Sequence, residues 1–252
     1  MNATVLKTVV GATPPGVRIP PHPPSIFTGQ SEGQMSIITK LKSLLTKPES
    51  KLKYIKNDQD FSHLNDREIF KAMYDEVGTI KANKSVVWRE EWMSQFDPRP
   101  GSAILELGAH NGPNLIYYAR LGHMIDGVEI SDTLIETFEK HAKLEPSDVQ
   151  KRMRIFKGWI EDFKPQKKYD YVLVTEVLEH VSDPLLILKK AAQCIGKDGL
   201  IYISSPTKHW GNNTHVRGVP MKDLKKWLGE SGLKAEKIFE ENERVFCYAS
   251  KQ

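Results

Sequence analysis

The chain has 252 residues, of which 39% are hydrophobic and 27% charged, with a formal net charge of +4. This is the balance of a soluble globular protein with room for one α/β domain and an appended segment, and no apolar run approaches the ~20 residues that span a bilayer. The mild charge permits an anionic substrate without demanding nucleic acid, and two cysteines in apolar contexts, Cys194 and Cys247, argue against a disulfide framework and for a reducing cytoplasm.

Residues 1–35 read as an extended arm, because the stretch 11–24 (GATPPGVRIPPHPP) is too rich in proline for a helix or central strand. Residues 36–97 read as a helical cap on the substrate side. From Ser36 to Lys56, lysines interleave with Ile and Leu as on a solvated amphipathic helix; a phosphate-facing patch is the competing reading. Between Asp66 and Phe96, the spacing of Ile69, Phe70, Met73 and Tyr74 predicts helix, with Val87, Trp88 and Trp92 further on. These aromatics are expected to pack, and the helices to cover a pocket.

Strands and helices alternate through residues 98–252. Ser102–Leu107, Met124–Ile130, Arg152–Lys157, Tyr169–Thr175 and Leu200–Ser204 are expected as strands, the fourth an apolar run of the kind buried in a parallel sheet. Asp132 is expected to cap a helix ending near Lys143. Pro184 should start another that stops before a Gly196–Gly199 turn, and Met221–Ser231 a third. Ala235–Phe239 and Arg244–Ala249 close the series. This rhythm predicts an α/β fold with one doubly wound, mainly parallel sheet.

The most informative segment is Glu106-Leu-Gly-Ala-His-Asn-Gly112. It joins a short buried strand to an amphipathic helix beginning at Asn114, the order that builds a nucleotide pocket. Small residues let a ligand approach the backbone, and a helix start offers unpaired N–H groups. The acid opening the motif would repel a pyrophosphate but suits a ligand with a positive charge and hydroxyls. His110 and Pro113 exclude the dehydrogenase fingerprint. Glu129, about 20 residues beyond the turn, ends the second strand, where an acid accepts ribose hydroxyl hydrogens.

The E-x-G-x-x-x-G pattern and Gly127-Val-Glu-Ile-Ser-Asp132 resemble the first two motifs of class I S-adenosylmethionine-dependent methyltransferases, although His110 replaces their usual middle glycine. The resemblance covers about residues 85–250 and implies a seven-stranded Rossmann-like sheet with an antiparallel last strand. It implies that Gly108, Ala109, His110, Gly112 and Asn114 line the methionine and sulfonium portion of S-adenosylmethionine. Glu106 would serve the turn and the ligand's ammonium group, and Glu129 with Ile130 the ribose. At the adenine position stands Trp159, where the ring would stack on the indole and pair with backbone near Ile160; Glu161 or Asp162 is the alternative polar partner.

Thr175-Glu-Val-Leu-Glu-His-Val-Ser-Asp-Pro184 follows the fourth strand, at the edge where open α/β sheets bind ligands. Its E-V-L-E-H-V core resembles ubiquinone-pathway O-methyltransferases and many small-molecule methyltransferases. Glu176, Glu179 and His180 have i, i+3, i+4 spacing; on one helical turn they would share a face. With His215 they form a candidate site for a divalent cation such as Mg, Mn or Fe. Glu176 lining the cofactor pocket is the other reading. The E-x-x-E-H arrangement with a later histidine is also similar to small-RNA 3′-end 2′-O-methyltransferases. Candidate catalytic residues are His180 as general base, Glu179 and His215, with His209 in reserve. Arg217 is expected either to bind an anionic group or to form a surface ion pair.

These features lead to an expected methyl transfer to oxygen or nitrogen of a small-molecule acceptor. A metal-assisted RNA 2′-O-methyltransferase and a catalytically silent cofactor-binding protein are the alternatives. The sequence leaves a homodimer open.

Overall fold

A computed structural model of the protein describes residues 67–81, 88, 90–209 and 215–252. The proline-rich arm and the lysine-rich segment lie outside the described residues, as do parts of the expected 66–96 helix. The described residues of that stretch contain two helices, α1 (Arg67–Lys81) and a single turn, α2 (Glu90–Met93), with Phe96 beyond the helix end.

The remaining elements are β1 (Ala103–Leu107), α3 (Pro113–Arg120), β2 (Met124–Glu129), α4 (Asp132–Ala142), α5 (Ser147–Gln150), β3 (Met153–Lys157) and β4 (Tyr169–Thr175). They continue with α6 (Pro184–Cys194), β5 (Ile195–Pro206), α7 (Met221–Glu230), β6 (Leu233–Glu241) and β7 (Arg244–Lys251). The seven strands form one sheet in the order β3-β2-β1-β4-β5-β7-β6. Pairings are parallel from β3 through β5, whereas β7 runs antiparallel to both β5 and β6. This is the expected doubly wound Rossmann-like sheet. Its strand order reverses between β1 and β4, the crevice where such sheets bind ligands.

Alternation along the strands builds two cores. Leu105, Val172, Val174, Ile201 and Ile203 pack on one face with Ile187 and Leu188 of α6. Ile104, Leu173 and Tyr202 pack on the other with Met93, Phe96, Leu115 and Tyr118. Phe96 therefore belongs to the core, as expected of the cap's aromatics, even though no helix carries it there.

Two local expectations are corrected. Ser131 rather than Asp132 caps α4, since the Ser131 hydroxyl accepts from the Leu134 amide at 3.3 Å. Asp132 becomes the first helical residue, where its carboxylate meets the positive helix end. Residues 196–199 are part of β5, not a separate turn; the register against β4 shifts between Tyr169 and Tyr171 and takes up the two glycines as an irregularity.

Candidate cofactor-binding and active site

The candidate site residues gather at the carboxyl ends of β1, β2, β4 and β5. The β1–α3 turn bends through three left-handed residues, Gly108 (φ 80°), His110 (φ 51°) and Gly112 (φ 77°). His110 therefore stands in a conformation that ordinarily favours glycine. A β-carbon at Gly112 would overlap the Phe138 ring, and one at Gly108 would meet Val177 Cγ2 at 2.9 Å. Pro113 occupies the first turn of α3, where its missing N–H costs nothing.

The turn's amides are largely spent within the protein. Gly108 and Ala109 both donate to the Val128 carbonyl, at 3.0 and 2.9 Å, and Gly112 donates to Ala109 at 2.9 Å. His110 donates to Glu129 Oε2 at 2.8 Å. These four residues do not offer the cluster of unpaired N–H groups expected of a helix-start pocket. The turn instead presents carboxylates, which suits a cationic, hydroxylated ligand better than a phosphate.

Glu106 is buried on β1, its Oε1 accepting from Asn114 Nδ2 at 2.6 Å. Its Oε2 is buried with no hydrogen-bond partner among the described residues. Burial pushes this carboxyl up to about 8, despite the opposing hydrogen bond from Asn114. Glu129, also buried, ends β2. Its Oε1 accepts from the amides of Ile130 and Ser131 at 2.9 and 3.0 Å. Burial raises its pKa too, although these backbone donors and His110 pull it down. The structure thus brings Glu106, Gly108, Ala109, His110, Gly112, Asn114, Glu129 and Ile130 together around one turn.

Beyond β3, the Gly158 amide donates to the Glu129 carbonyl at 2.8 Å. Trp159 is flanked by Phe70 of α1 (centroids 5.6 Å apart) and by the Arg67 guanidinium at 4.9 Å. Arg67 also pairs with Asp162, which holds that carboxyl below its ordinary value and commits it to α1. Ile160 comes close to Gly108, with its Cδ1 3.9 Å from where a β-carbon would stand.

The segment after β4 departs from the helical reading. Residues 176–183 form turns before α6 begins, so Glu176, Glu179 and His180 do not share a helical face. Glu176 is left-handed (φ 54°) and pairs with Arg244, at the start of β7. Glu179 is wholly buried and accepts from Ser205 Oγ at 2.6 Å; burial pushes its carboxyl up to about 7. Its backbone carbonyl takes the Val216 amide at 2.8 Å, drawing His215 in beside His180 with ring centroids 4.5 Å apart.

Donor atoms of Glu179, His180 and His215 all lie within 4.8 Å of one another. Glu176, expected as a fourth ligand, is not in that group. Burial and neighbouring His180 lower the His215 pKa to about 3, leaving a neutral imidazole. His209 Nε2 donates to the His215 carbonyl at 2.6 Å. Arg217 is buried, not on the surface where one of its two expected roles, an ion pair, would place it, and it donates to the Ser182 carbonyl at 3.1 Å.

Sequence reasoning missed Arg244, Ser205, Asp75 and Ser131. Arg244 could be reached only through topology: β7 is antiparallel, so its first residue lies where the parallel strands end. No motif marks Ser205 or Asp75, and Ser131 lies within the Gly127–Asp132 segment without being singled out there.

A family model described as a methyltransferase domain matches residues 85–238. The chain is 29% identical over 141 residues to a ubiquinone biosynthesis O-methyltransferase of Bartonella quintana, covering 52% of this chain and 56% of that protein. The corresponding protein of Bradyrhizobium diazoefficiens is 29% identical over 110 residues, covering 44% and 42%. That of Hydrogenovibrio crunogenus is 26% identical over 197 residues, covering 69% and 80%. The chain therefore spans about half the length of the first two relatives. Among solved structures, the glycopeptide N-methyltransferase MtfA complexed with S-adenosylmethionine superposes with a TM-score of 0.55 at 16% identity, covering 69% of this chain and 94% of that one. The mitomycin 7-O-methyltransferase MmcR gives 0.55 at 14%, covering 74% and 57%. At these identities the structures establish a shared fold.

Proposed function

The chain belongs to the methyltransferase-domain family, and we propose that it is an S-adenosylmethionine-dependent enzyme that methylates an oxygen or nitrogen of a small-molecule acceptor. The observation that carries this reading is the buried Glu106 Oε2, which has no partner among the described residues and lies one turn from the buried Glu129. A buried carboxyl oxygen without a hydrogen-bond partner costs folding free energy, which an ammonium group can recover by pairing with the ionised form. Glu106, Gly108, Ala109, His110, Gly112 and Asn114 would hold the amino-acid end of the cofactor. Glu129 and Ile130 would hold the ribose, and Trp159 and Ile160 the base. Glu129 retains acceptor capacity beyond the three amides it already receives.

When bound, S-adenosylmethionine would supply the sulfonium methyl that the acceptor's nucleophile attacks, the S–CH3 bond breaking to leave S-adenosylhomocysteine. The chain's own residues align the acceptor and exclude water. Glu179 and His180 stand closest to the task of taking a proton from an acceptor hydroxyl, with His180 Nε2 3.8 Å from Glu179 Oε1. A second reading rests on the Glu179, His180 and His215 cluster. One carboxylate oxygen and two imidazole nitrogens are a suitable donor set for Fe or Mn beside the acceptor, and a poor one for Mg, which takes oxygen ligands. The ubiquinone-pathway relatives make a hydroxylated aromatic ring the first acceptor class to try. The family match and the buried cysteines Cys194 and Cys247 support a cytoplasmic setting. No helix among the described residues is long and apolar enough to cross a membrane.

The deciding experiment is calorimetric titration of the folded protein with S-adenosylhomocysteine, followed by labelled methyl transfer to a panel of phenols, catechols and amines with and without EDTA. Saturable cofactor binding and transfer to one acceptor class are expected. No heat with folded protein overturns the reading, and EDTA-insensitive turnover removes the metal.

A further inference from the structure

Helix α1 is fastened to the loop after Glu129 chiefly at Asp75. Asp75 Oδ1 accepts from Ser131 Oγ at 2.7 Å, and the Asp75 carbonyl accepts from Thr133 Oγ1 at 2.9 Å. Lys71 supports Asp75 at 2.7 Å and reaches Asp132 at 3.0 Å. The helix backbone comes so near α4 that a β-carbon at Gly78 would overlap Thr133 Oγ1.

Ser131 is fully buried and faces both ways. Its hydroxyl is held by Asp75, while its amide donates to Glu129 Oε1 at 3.0 Å. Glu129 Oε2 in turn receives the His110 amide. An unbroken chain of hydrogen bonds therefore runs from α1, through Ser131 and Glu129, to the left-handed residue of the β1–α3 turn. The next residue of α1 towards the site, Tyr74, sets its ring 6.0 Å from that of His180, so the same helix turn borders the acceptor side.

We propose that Asp75 is a positioning residue for the nucleoside cofactor: through Ser131 it fixes the Glu129 carboxylate, and α1 thereby retains the bound nucleoside. This rests on the cofactor reading above. A carboxylate held by a fixed loop meets ribose hydroxyls without first losing rotamer freedom, and that preorganisation is gained mainly as slower release. No motif predicts the role, because Asp75 acts across 56 residues of sequence.

The test measures S-adenosylhomocysteine affinity and release on the full chain by calorimetry and stopped flow. Asp75→Ala is expected to weaken binding about tenfold, chiefly through faster release. Asp75→Asn keeps an oxygen acceptor for Ser131 and should stay within about twofold of wild type. In a Glu129→Ala background the Asp75→Ala effect should vanish, which a merely structural role would not produce. Hydrogen exchange on the wild-type protein provides a second readout: ligand should raise protection of residues 67–81 together with 129–134. Wild-type affinity and release in folded Asp75→Ala, an undiminished effect without Glu129, or protection that spares 67–81 would each overturn the proposal. If the wild-type protein binds no S-adenosylhomocysteine at all, the cofactor reading fails first.

Discussion

Asn114 grips one oxygen of Glu106 across 2.6 Å and leaves the other, Oε2, sealed in the protein without a hydrogen-bond donor among the described residues. This half-satisfied carboxyl is pushed up to about 8 by burial, so in the ligand-free protein it holds its proton at neutral pH. An ammonium group beside it would favour the ionised form and expel that proton. Titrations of S-adenosylhomocysteine near pH 7 in buffers of different ionisation enthalpy should therefore show release of up to about one proton. Glu106→Gln should abolish the release.

The same group makes stability depend on pH. Its folded pKa lies above the unfolded value, so its contribution is complete below pH ~4.5 and is lost as pH rises through about 8. Denaturant midpoints of the ligand-free protein should carry this downward trend between those values. Glu106→Gln should flatten it relative to wild type.

Glu129→Ala should weaken S-adenosylhomocysteine binding about 10- to 100-fold, the range for a hydrogen bond to a charged group. It also leaves the amides of His110, Ile130 and Ser131 without their acceptor. Part of the loss should therefore persist for adenosine analogues lacking ribose hydroxyls. Calorimetry with paired analogues separates the two contributions.

Gly112→Ala should destabilise the protein by about 2–4 kcal/mol, combining a left-handed β-carbon with overlap on Phe138. His110→Gly should be tolerated within about 1 kcal/mol, because relief of the left-handed conformation is offset by a more flexible unfolded chain. Urea melts of the two variants test the contrast.

Arg244→Met should cost about 2–4 kcal/mol by leaving the half-buried Glu176 without the Arg244 cation. Adding Glu176→Gln should recover much of that loss. A double-mutant cycle on unfolding free energy measures the coupling. Failure of the second substitution to help would mean that Arg244 matters chiefly through its packing over Trp92.

The fold was legible because buried parallel strands write themselves as short apolar runs: Tyr169–Thr175 appears with the same limits in sequence and structure. The cofactor side was legible for a different reason. Glu106 to Gly112 is one contiguous turn, and Glu129 follows at the spacing of a βαβ unit, so local order and spatial order coincide. That agreement ends after β4. Glu176, Glu179 and His180 have helical spacing, yet the left-handed Glu176 breaks the segment into turns and sends its carboxylate to Arg244. Ser205, the partner of Glu179, and Arg244, the partner of Glu176, lie 26 and 68 residues away from them, a distance that no periodicity encodes. The same holds for Asp75 and Ser131, whose contact depends on how α1 folds back across the sheet edge.

The sheet order has a consequence for assembly. Because β7 is laid down after β6 yet sits between it and β5, a nascent chain cannot add its strands one by one from the centre outward. Within the sheet, β6 is joined only through β7, so the segment 233–251 is held on β5 by the strand that also brings Arg244 to Glu176. Until that hairpin docks, the outer edge of β5 has no strand partner and Glu176 lacks the Arg244 guanidinium.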